Sequence, residues 1–443
     1  KLFTSSNPDP VLVQKIVEEA IQPKISEEDN LQLQKIPDLL EIKEALFDIH
    51  PEKAPGPDGF SACFFQTNWN TVGLALSNEF RTSTLHHNVN ETFVRLIPKI
   101  QAPKKAADYK PIALCNVYFK IISKILTQRL KPLLHKLVSD NQSAFLAGRA
   151  IADNVLITHE TLHFLKTSGA IKNCSMAVKT GMSKAYDRVE WSFIKAVLQR
   201  MGFASCWIDW ILECTSTVTY SFLINGQPLE KVVPSRGIRQ GDPLSPYIFI
   251  LCGEVLSGLC RQAQVSKHMS QHSPRVNHLL FADDTMFFCK TKKKDCTALL
   301  TILQRYGDVS GQLINTQKAS VFFSRRTPYE TQLQVKQWLS IINDGGLGKY
   351  LGLPEHFGRK KKDLFSSIVD RIRQKLISWS SRFLSGAGKM VMLKSVLASI
   401  PNYTMSCFQL PLSLSAREFN PPSLASGGIP TIRKRCVGSP GTR

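Results

Sequence analysis

The sequence predicts an α+β fold in which short antiparallel strands are backed by helices. Three observations carry that expectation. After Asp153, stretches with helical spacing alternate with short apolar strands. Two hairpins can be read directly: Ser221 to Val233 around an Asn225-Gly226 turn, and Val276 to Cys289 with Asp283-Asp284 at its tip. No internal repeat is visible, which excludes solenoids and propellers and leaves a mixed layer architecture.

The elements follow in chain order. Val11 to Ile21 and Pro37 to Ile49 read as a helical lead-in, the second with Leu39, Leu40, Ile42, Leu46 and Phe47 at helical spacing. Lys53-Ala54-Pro55-Gly56-Pro57-Asp58-Gly59-Phe60 is a double Pro-Gly turn, which neither a helix nor a central strand can contain. A helical stretch from Ala62 to Phe80 and an apolar strand from Phe93 to Ile97 come next. Asn116 is placed to cap a helix running to Leu130, before Pro132 bends or ends it. Met176 to Lys179 reads as a strand. Ser183 would cap one helix bearing Ala185, Val189, Phe193, Val197 and Met201, and Leu244 to Leu259 is an apolar helix entered through Gly241-Asp242-Pro243. Beyond Tyr350 the chain turns basic, with Arg359-Lys360-Lys361-Lys362 leading into Phe365, Ile368, Ile372 and Ile377. From Ala416 to Arg443 Gly, Ser, Pro and Arg occur without period, as in unfolded chain.

Length and charge narrow the function classes. The 443 residues allow about three domains of roughly 150 residues, or one multi-lobed unit. With 56 Lys and Arg against 35 Asp and Glu, the chain carries +21, a surplus that favours a polyanionic partner, nucleic acid before an anionic membrane. The longest apolar stretch, Tyr247 to Cys252 running towards Leu259, is broken by Gly253 and Glu254, well short of the ~20 residues a membrane helix needs. The 11 cysteines are odd in number and form no Cys-x-x-Cys pair, and the start carries no secretory signal. The expectation is therefore reduced thiols without disulfides in an intracellular compartment, nucleus or cytoplasm. A first residue of Lys1 rather than Met reads as a fragment or an imperfect gene model.

Three segments carry candidate chemistry. Phe281-Ala282-Asp283-Asp284 puts two adjacent carboxylates at an apolar hairpin tip, where they repel unless solvent or cations neutralise them. It reads either as an exposed polar turn or as a divalent-cation site, since Mg²⁺ is commonly held by one or two carboxylates plus substrate phosphates. Gly237-Ile238-Arg239-Gln240-Gly241-Asp242-Pro243 is either a connection or a loop whose glycines allow close approach while Arg239 and Gln240 reach a phosphate or a base edge. The run Arg359, Lys360, Lys361, Lys362 is either a solvated helix face or a contact to nucleic-acid backbone.

The order of Lys53 to Phe60, Leu96-Ile97-Pro98-Lys99, Tyr109-Lys110-Pro111-Ile112-Ala113-Leu114, Asn141-Gln142-Ser143-Ala144-Phe145, Met182-Ser183-Lys184-Ala185-Tyr186-Asp187, Arg236 to Pro246 and Phe281 to Asp284 resembles the reverse transcriptase of plant non-LTR (LINE-type) retrotransposons. The likeness runs from the first residues to about Pro411. It implies an α+β right-hand polymerase: a lead-in over 1–52, fingers and N-terminal palm over 53–170, palm over 171–325, thumb and basic extension over 326–415, and a disordered tail over 416–443. It implies RNA-directed DNA polymerase activity on an RNA template, a DNA primer and deoxynucleoside triphosphates. Two Mg²⁺ ions roughly 3.5–4 Å apart would activate the primer 3′-hydroxyl and stabilise the leaving pyrophosphate. By the same resemblance Asp283 and Asp284 hold metal, Lys99 and Lys110 face the triphosphate, and Gln240 and Gly241 line the nucleotide pocket. Tyr186 stands where a ring blocks a ribose 2′-hydroxyl; from its own surroundings it reads equally as a core aromatic.

Three departures mark this copy. The family's remaining metal-binding carboxylate stands five residues before that aromatic, and here the position is Gly181. Asp187 lies over a helical turn beyond the strand end, so it is a poor substitute. Lys110 stands where Arg is usual, keeping charge but losing bidentate phosphate binding. Ala425-Ser426-Gly427-Gly428 stands where relatives carry a Trp-Trp pair; codons GCG AGT GGT GGG would encode these four residues and contain GAG TGG TGG in another frame, so a frameshift near residue 415 is the expectation. The expectations are a polymerase domain crippled at its metal site, a nucleic-acid-binding remnant without catalysis, or a non-functional pseudogene product.

Overall fold

The computed structural model describes residues 2–81, 87–105, 108–170, 174–265, 277–346, 348–355, 362–378 and 385–409. It divides into two units, Lys1–Leu347 and Gly348–Arg443.

The first unit opens with three capped helices, α1 (Pro10–Ala20), α2 (Glu27–Leu33) and α3 (Leu39–Phe47). Asp9 accepts from the Val11 amide ahead of Pro10, Ser26 and Asp29 form a reciprocal capping box, and Asp38 accepts from the Glu41 amide. The stretch expected as one helix from Ala62 is instead α4 (Ala62–Thr67) and α5 (Trp69–Arg81). Asn68 separates them: its side chain donates to the Phe64 carbonyl at 2.8 Å, a local bond that competes with helix continuation.

Next come β1 (Glu91–Pro98), β2 (Tyr109–Cys115), α6 (Val117–Leu130), the single turn α7 (Leu134–Leu137) and α8 (Ile151–Thr167). Asn116 precedes α6, but its side chain makes no cap bond. Its amide donates to the Asn88 and Val89 carbonyls at 3.1 and 3.2 Å, and its oxygen accepts from the Asp58 amide at 3.2 Å. The Pro-Gly turn is thereby held against the start of α6. A Cβ on Gly56 would lie 2.3 Å from the Asn116 nitrogen, so only glycine fits there.

β3 (Ser175–Gly181) leads into α9 (Ala185–Arg188), α10 (Trp191–Met201) and α11 (Ser205–Ser216). The helix expected to run from Ser183 to Met201 is therefore broken. The Tyr186 and Val189 carbonyls accept from the Ile238 and Gly237 amides, both at 2.8 Å, and are lost to helix propagation. Ser183 is no cap; its amide donates to the Leu313 carbonyl at 2.7 Å. At the break Glu190, 1% exposed, pairs with Arg236 at 3.1 Å and also accepts from Ser5 and Ser6. The N-terminal strap is completed by Arg236 donating to the Leu2 carbonyl at 3.0 Å and by Phe3 packing on Tyr220.

The unit continues through β4 (Thr219–Ile224), β5 (Gln227–Val232), α12 (Ser245–Val265), β6 (His278–Phe281), β7 (Asp284–Lys290), α13 (Lys293–Ser310), β8 (Ser320–Phe323), α14 (Tyr329–Leu339) and β9 (Asn343–Asp344). Both expected hairpins form, the first turning through Asn225 and Gly226 at positive φ. One sheet has the order β2-β1-β4-β5; the other has β6-β7-β3-β8-β9. Pro111 is accommodated because β2 is an edge strand, where a missing N–H costs no ladder bond. The parallel pairing of β9 with β8 puts the chain past residue 325, expected to begin a thumb, on the five-stranded sheet as far as Asp344.

The main core joins Ile16 and Val17 of α1, Phe193 and Val197 of α10, Val255 of α12 and Leu299 and Tyr306 of α13 with Val178 and Phe287 of the five-stranded sheet. A second core of Ile42, Leu46, Trp69, Leu76, Ile121 and Ile125 joins α3, α5 and α6. The second unit holds β10 (Lys349–Tyr350), β11 (Leu353–Pro354), α15 (Lys362–Ser378), α16 (Gly386–Met392) and α17 (Asn402–Cys407), with Tyr350, Leu353, Phe365 and Ile368 buried. Arg359, Lys360 and Lys361 and the tail from 410 lie outside the described residues; Lys362 opens α15. Among the described residues ten cysteines are free thiols, and no helix is long and apolar enough to cross a membrane.

His278, on β6, is fully buried between Ser257 at 2.7 Å and Asn277 at 2.6 Å. The Asn277 amide donates to the Cys260 carbonyl, which leaves its oxygen to accept from His278 Nδ1. Burial, with Arg261 nearby, pushes its pKa down to about 3. An unfolded His binds a proton near pH 6.5, so the unfolded state binds more protons below that value and stability falls as pH drops towards 4. We expect His278→Gln to remove a slope of ~1.4 kcal/mol per pH unit from the urea-unfolding free energy between about pH 6 and pH 4. Parallel pH profiles for the two proteins would contradict this assignment.

Candidate active site

The turn between β6 and β7 sets the site. Ala282 adopts φ +53°, so Asp283 lies in the turn and Asp284 opens β7. In the antiparallel register Asp284 pairs with Phe281 on one side and with Gly181, the last residue of β3, on the other. The Asp283 carbonyl accepts from the Met182 amide at 3.3 Å, tying the turn to the chain leaving β3. Both carboxyls are half-buried, and their pKa values are raised by burial first; for Asp284 the Asp283 charge adds. Lys318 opposes the shift at both, with Lys110 at Asp283 and Lys179 at Asp284.

Gln142 supports the turn from beneath, a role that sequence reasoning missed although the residue sits in a quoted motif. It is 1% exposed, and its side-chain oxygen accepts from the Ala282 amide at 3.2 Å and the Ala144 amide at 2.9 Å. Around it the Leu280 amide donates to the Asn141 carbonyl at 2.7 Å, the Asn141 side chain to the His278 carbonyl at 2.8 Å, and the Asn154 side chain to the Leu280 carbonyl at 2.9 Å. The outer edge of β6 is thus satisfied by the 141–143 segment. Lys179 and Lys318 were also missed, because only the pairing of β3 with β7 and the turn before β8 bring their charges near the carboxylates.

The other expected residues separate into two groups. The Tyr186 ring lies flat on Phe249, centroids 5.0 Å apart and planes 9° apart; burial, then the Asp283 charge, raises its hydroxyl pKa. Lys110 pairs with Ile97 across β2 and β1, and Lys99 follows β1 with its amide bound to the Asp108 carbonyl at 2.8 Å. Burial, then Lys184 and Lys318, lower the Lys99 pKa. Gln240 and Gly241 abut β2: the Gln240 carbonyl accepts from the Ala113 amide at 2.9 Å, and Gly241 needs φ +114° there. Lys99, Lys110, Tyr186, Asp283 and Asp284 thus belong to one electrostatic neighbourhood.

Arg239 does not join them. It is 3% exposed, its guanidinium donates to Asn90, Thr92 and the Cys214 carbonyl, and its central carbon lies 3.7 Å from the Phe119 ring centroid. Expected at a phosphate or base edge, it instead faces inward and ties β1, α6 and α11 together, because its donors find acceptors there that would otherwise be buried unpaired. Asp242 is likewise internal, accepting from Ser123 and Ser245.

The residues present do not complete a two-metal centre. Among the described residues no group of three or more His, Cys, Asp or Glu is placed to hold a metal. Asp187 lies in α9, where burial raises its pKa against the charges of Lys184, Arg188 and Lys99. Position 181 is the gap: a Cβ there would lie 3.6 Å from Asp284 Oδ1, in ordinary contact and at unstrained φ. A side chain at 181 would therefore start in contact with Asp284 without displacing it.

Arg239→Leu should lower folding stability by about 2–4 kcal/mol, since it strands three buried acceptors and a ring face. Urea unfolding at neutral pH measures this. Unchanged stability with weakened nucleotide binding would return Arg239 to the pocket.

Comparison with known proteins agrees with this geometry. The family described as reverse transcriptase (RNA-dependent DNA polymerase) matches residues 102–354. The chain is 25% identical over 400 residues to an uncharacterized 149 kDa protein of transposon TX1 from Xenopus laevis, covering 87% of this chain and 30% of that protein. It is 67% identical over 69 residues to an uncharacterized mitochondrial protein of Arabidopsis thaliana, covering 14% of this chain and 57% of that one. It is 27% identical over 245 residues to the Pol polyprotein of the type-2 retrotransposable element R2DM of Drosophila melanogaster, covering 54% and 22%. The chain therefore spans less than two thirds of each of these relatives. With the family matched over more than half of its length, this chain belongs to the reverse transcriptase family, and its homologues are proteins of non-LTR retrotransposons.

Proposed function

We propose that the chain is the polymerase domain of a plant non-LTR retrotransposon whose nucleotidyl transfer is impaired at Gly181. The observation that carries the reading is the pairing of Gly181 with Asp284: the strand end where the family pattern has a carboxylate presents a hydrogen, at a position that tolerates a Cβ beside Asp284. The plant source is supported by the 67% identity to the Arabidopsis thaliana protein.

In this reading residues 53–170 serve as fingers and first part of the palm, the five-stranded sheet is the palm floor, and the second unit belongs to the thumb. An RNA template, a DNA primer and deoxynucleoside triphosphates are the partners, and the working compartment is nucleus or cytoplasm. Lys99 and Lys110 take the triphosphate, Tyr186 screens the sugar, Gln240 and Gly241 bound the pocket, and Arg359 to Lys362 follow the nucleic-acid backbone. Asp283 and Asp284 are the residues that would hold a divalent metal, which would supply activation of the primer hydroxyl; this set lacks one member. Gly181 also favours a second reading, a nucleic-acid-binding remnant, because binding by fingers and thumb needs no carboxylates.

Primer extension on an RNA template, with Mg²⁺ and then Mn²⁺, decides between them. Gly181→Asp should extend about 10² to 10³ times faster than the unaltered chain, the scale of restoring one element of a preorganised electrostatic site. Equal extension by both would end the impairment reading; extension by neither, with primer-template still bound, would favour the remnant. In the Gly181→Asp background, Lys110→Arg should lower the nucleotide KM about three- to tenfold by restoring a bidentate phosphate contact. An unchanged KM would show that the lysine already serves.

A further inference from the structure

The missing carboxylate alters what the palm floor can hold. Lys179 lies two residues before Gly181 on β3, so both project from the same face as Asp284, the direct partner of Gly181. Lys179 pairs on its other side with Ser320 of β8. Beyond that pair the register does not continue: Met182 bridges Ile314, so Gly181 meets the chain at Asn315, and residues 316–318 form a turn leading into β8. The chain is pinned there: the Asn315 amide donates to the Gly181 carbonyl at 2.8 Å, and the Lys318 amide donates to the Asn315 carbonyl at 3.1 Å and side chain at 3.2 Å. Gly181 therefore has Asp284 on one side and Asn315 on the other, with Lys318 in the adjoining turn, where its charge acts on both Asp283 and Asp284.

Two ammonium groups, Lys179 and Lys318, balance the two carboxylates of the floor. A third carboxylate at 181 would leave it one negative charge in excess, the condition for drawing in a divalent cation. Without it the floor is neutral, and Lys99 and Lys110 beside it make the pocket net positive. Such a set attracts an anion directly, since ammonium groups hold phosphate oxygens by charge-assisted hydrogen bonds.

We propose that the palm pocket of this chain is a metal-independent polyphosphate site, in which Lys318 and Lys179 stand in for the divalent cation and a nucleoside triphosphate is held by lysines alone. This rests on reading the pocket as the nucleotide site. No bond is made or broken; the site binds and does not turn over.

Calorimetric titration of the full chain with dTTP, once with Mg²⁺ and once with EDTA, tests it, with thermal melting confirming that each variant is folded. The unaltered chain should bind dTTP equally in both, within about twofold. Gly181→Asp should become Mg²⁺-dependent, binding about tenfold or more tighter with the metal than with EDTA, equivalent to ~1.4 kcal/mol. Lys318→Gln should weaken EDTA-resistant binding about tenfold, and Lys318→Arg should recover most of it. Loss of dTTP binding in EDTA, or no effect of Lys318→Gln, overturns the proposal. Binding of an RNA–DNA primer-template by the same samples separates the two levels. A chain that binds primer-template but needs Mg²⁺ for dTTP loses this inference and keeps the polymerase reading, whereas one that binds neither loses both.

Discussion

The antiparallel pairing of β3 with β7, from Ser175 opposite Lys290 to Gly181 opposite Asp284, is the constraint from which the rest follows. It buries Met176, Val178, Phe287 and Cys289 in the core, and the helices α1, α10, α12 and α13 pack against that apolar face. Ala177, Met286 and Phe288 on the opposite face are buried as well, so a slip of one residue would exchange side chains between two packed faces and disrupt both. With the register fixed, position 181 and the turn carboxylates have no freedom to be elsewhere. The chemistry of the site then depends on what stands at one strand end.

Much of the fold was legible because local signals and tertiary demands coincided. The Asn225-Gly226 hairpin needs positive φ at both turn residues, and the sequence supplies residues that accept it. The capping box at Ser26 was equally written into the chain, yet the short helix behind it went unread because seven residues show too little periodicity. Where reading failed outright, distant residues had taken over backbone groups. The helix expected from Ser183 is broken by amides of Gly237 and Ile238, and Asn116 serves Asn88, Val89 and Asp58 in place of its own helix. Propensity carries no information about such partners.

The site divides along the same line. The paired aspartates, Tyr186, Lys99 and Lys110 stand out by type and order, and the absent carboxylate at 181 was visible as a departure from a pattern. Arg239 was misread because a guanidinium in a glycine-rich loop looks the same whether it faces a phosphate or a buried Asn90 and Cys214 carbonyl. Gln142 and Lys318 had no local signal at all. The first acts through a backbone amide 140 positions away, and the second gains its place from the turn that Asn315 anchors to the Gly181 carbonyl.

The N-terminal strap has a consequence for how the molecule is made. Its bonds run from Leu2, Ser5 and Ser6 to Arg236, Ser235 and Glu190, with a largest separation of 234 residues. At a synthesis rate of about 5–20 residues per second, the strap waits roughly 10–50 s on the ribosome before Arg236 exists to receive it. Until then Glu190 lacks the guanidinium that neutralises it, and Tyr220, itself still to be made, cannot cover Phe3. The strap, made long before its partners, is thus among the last parts of this unit to settle, and closure of the unit is timed by translation as well as by the speed of local folding.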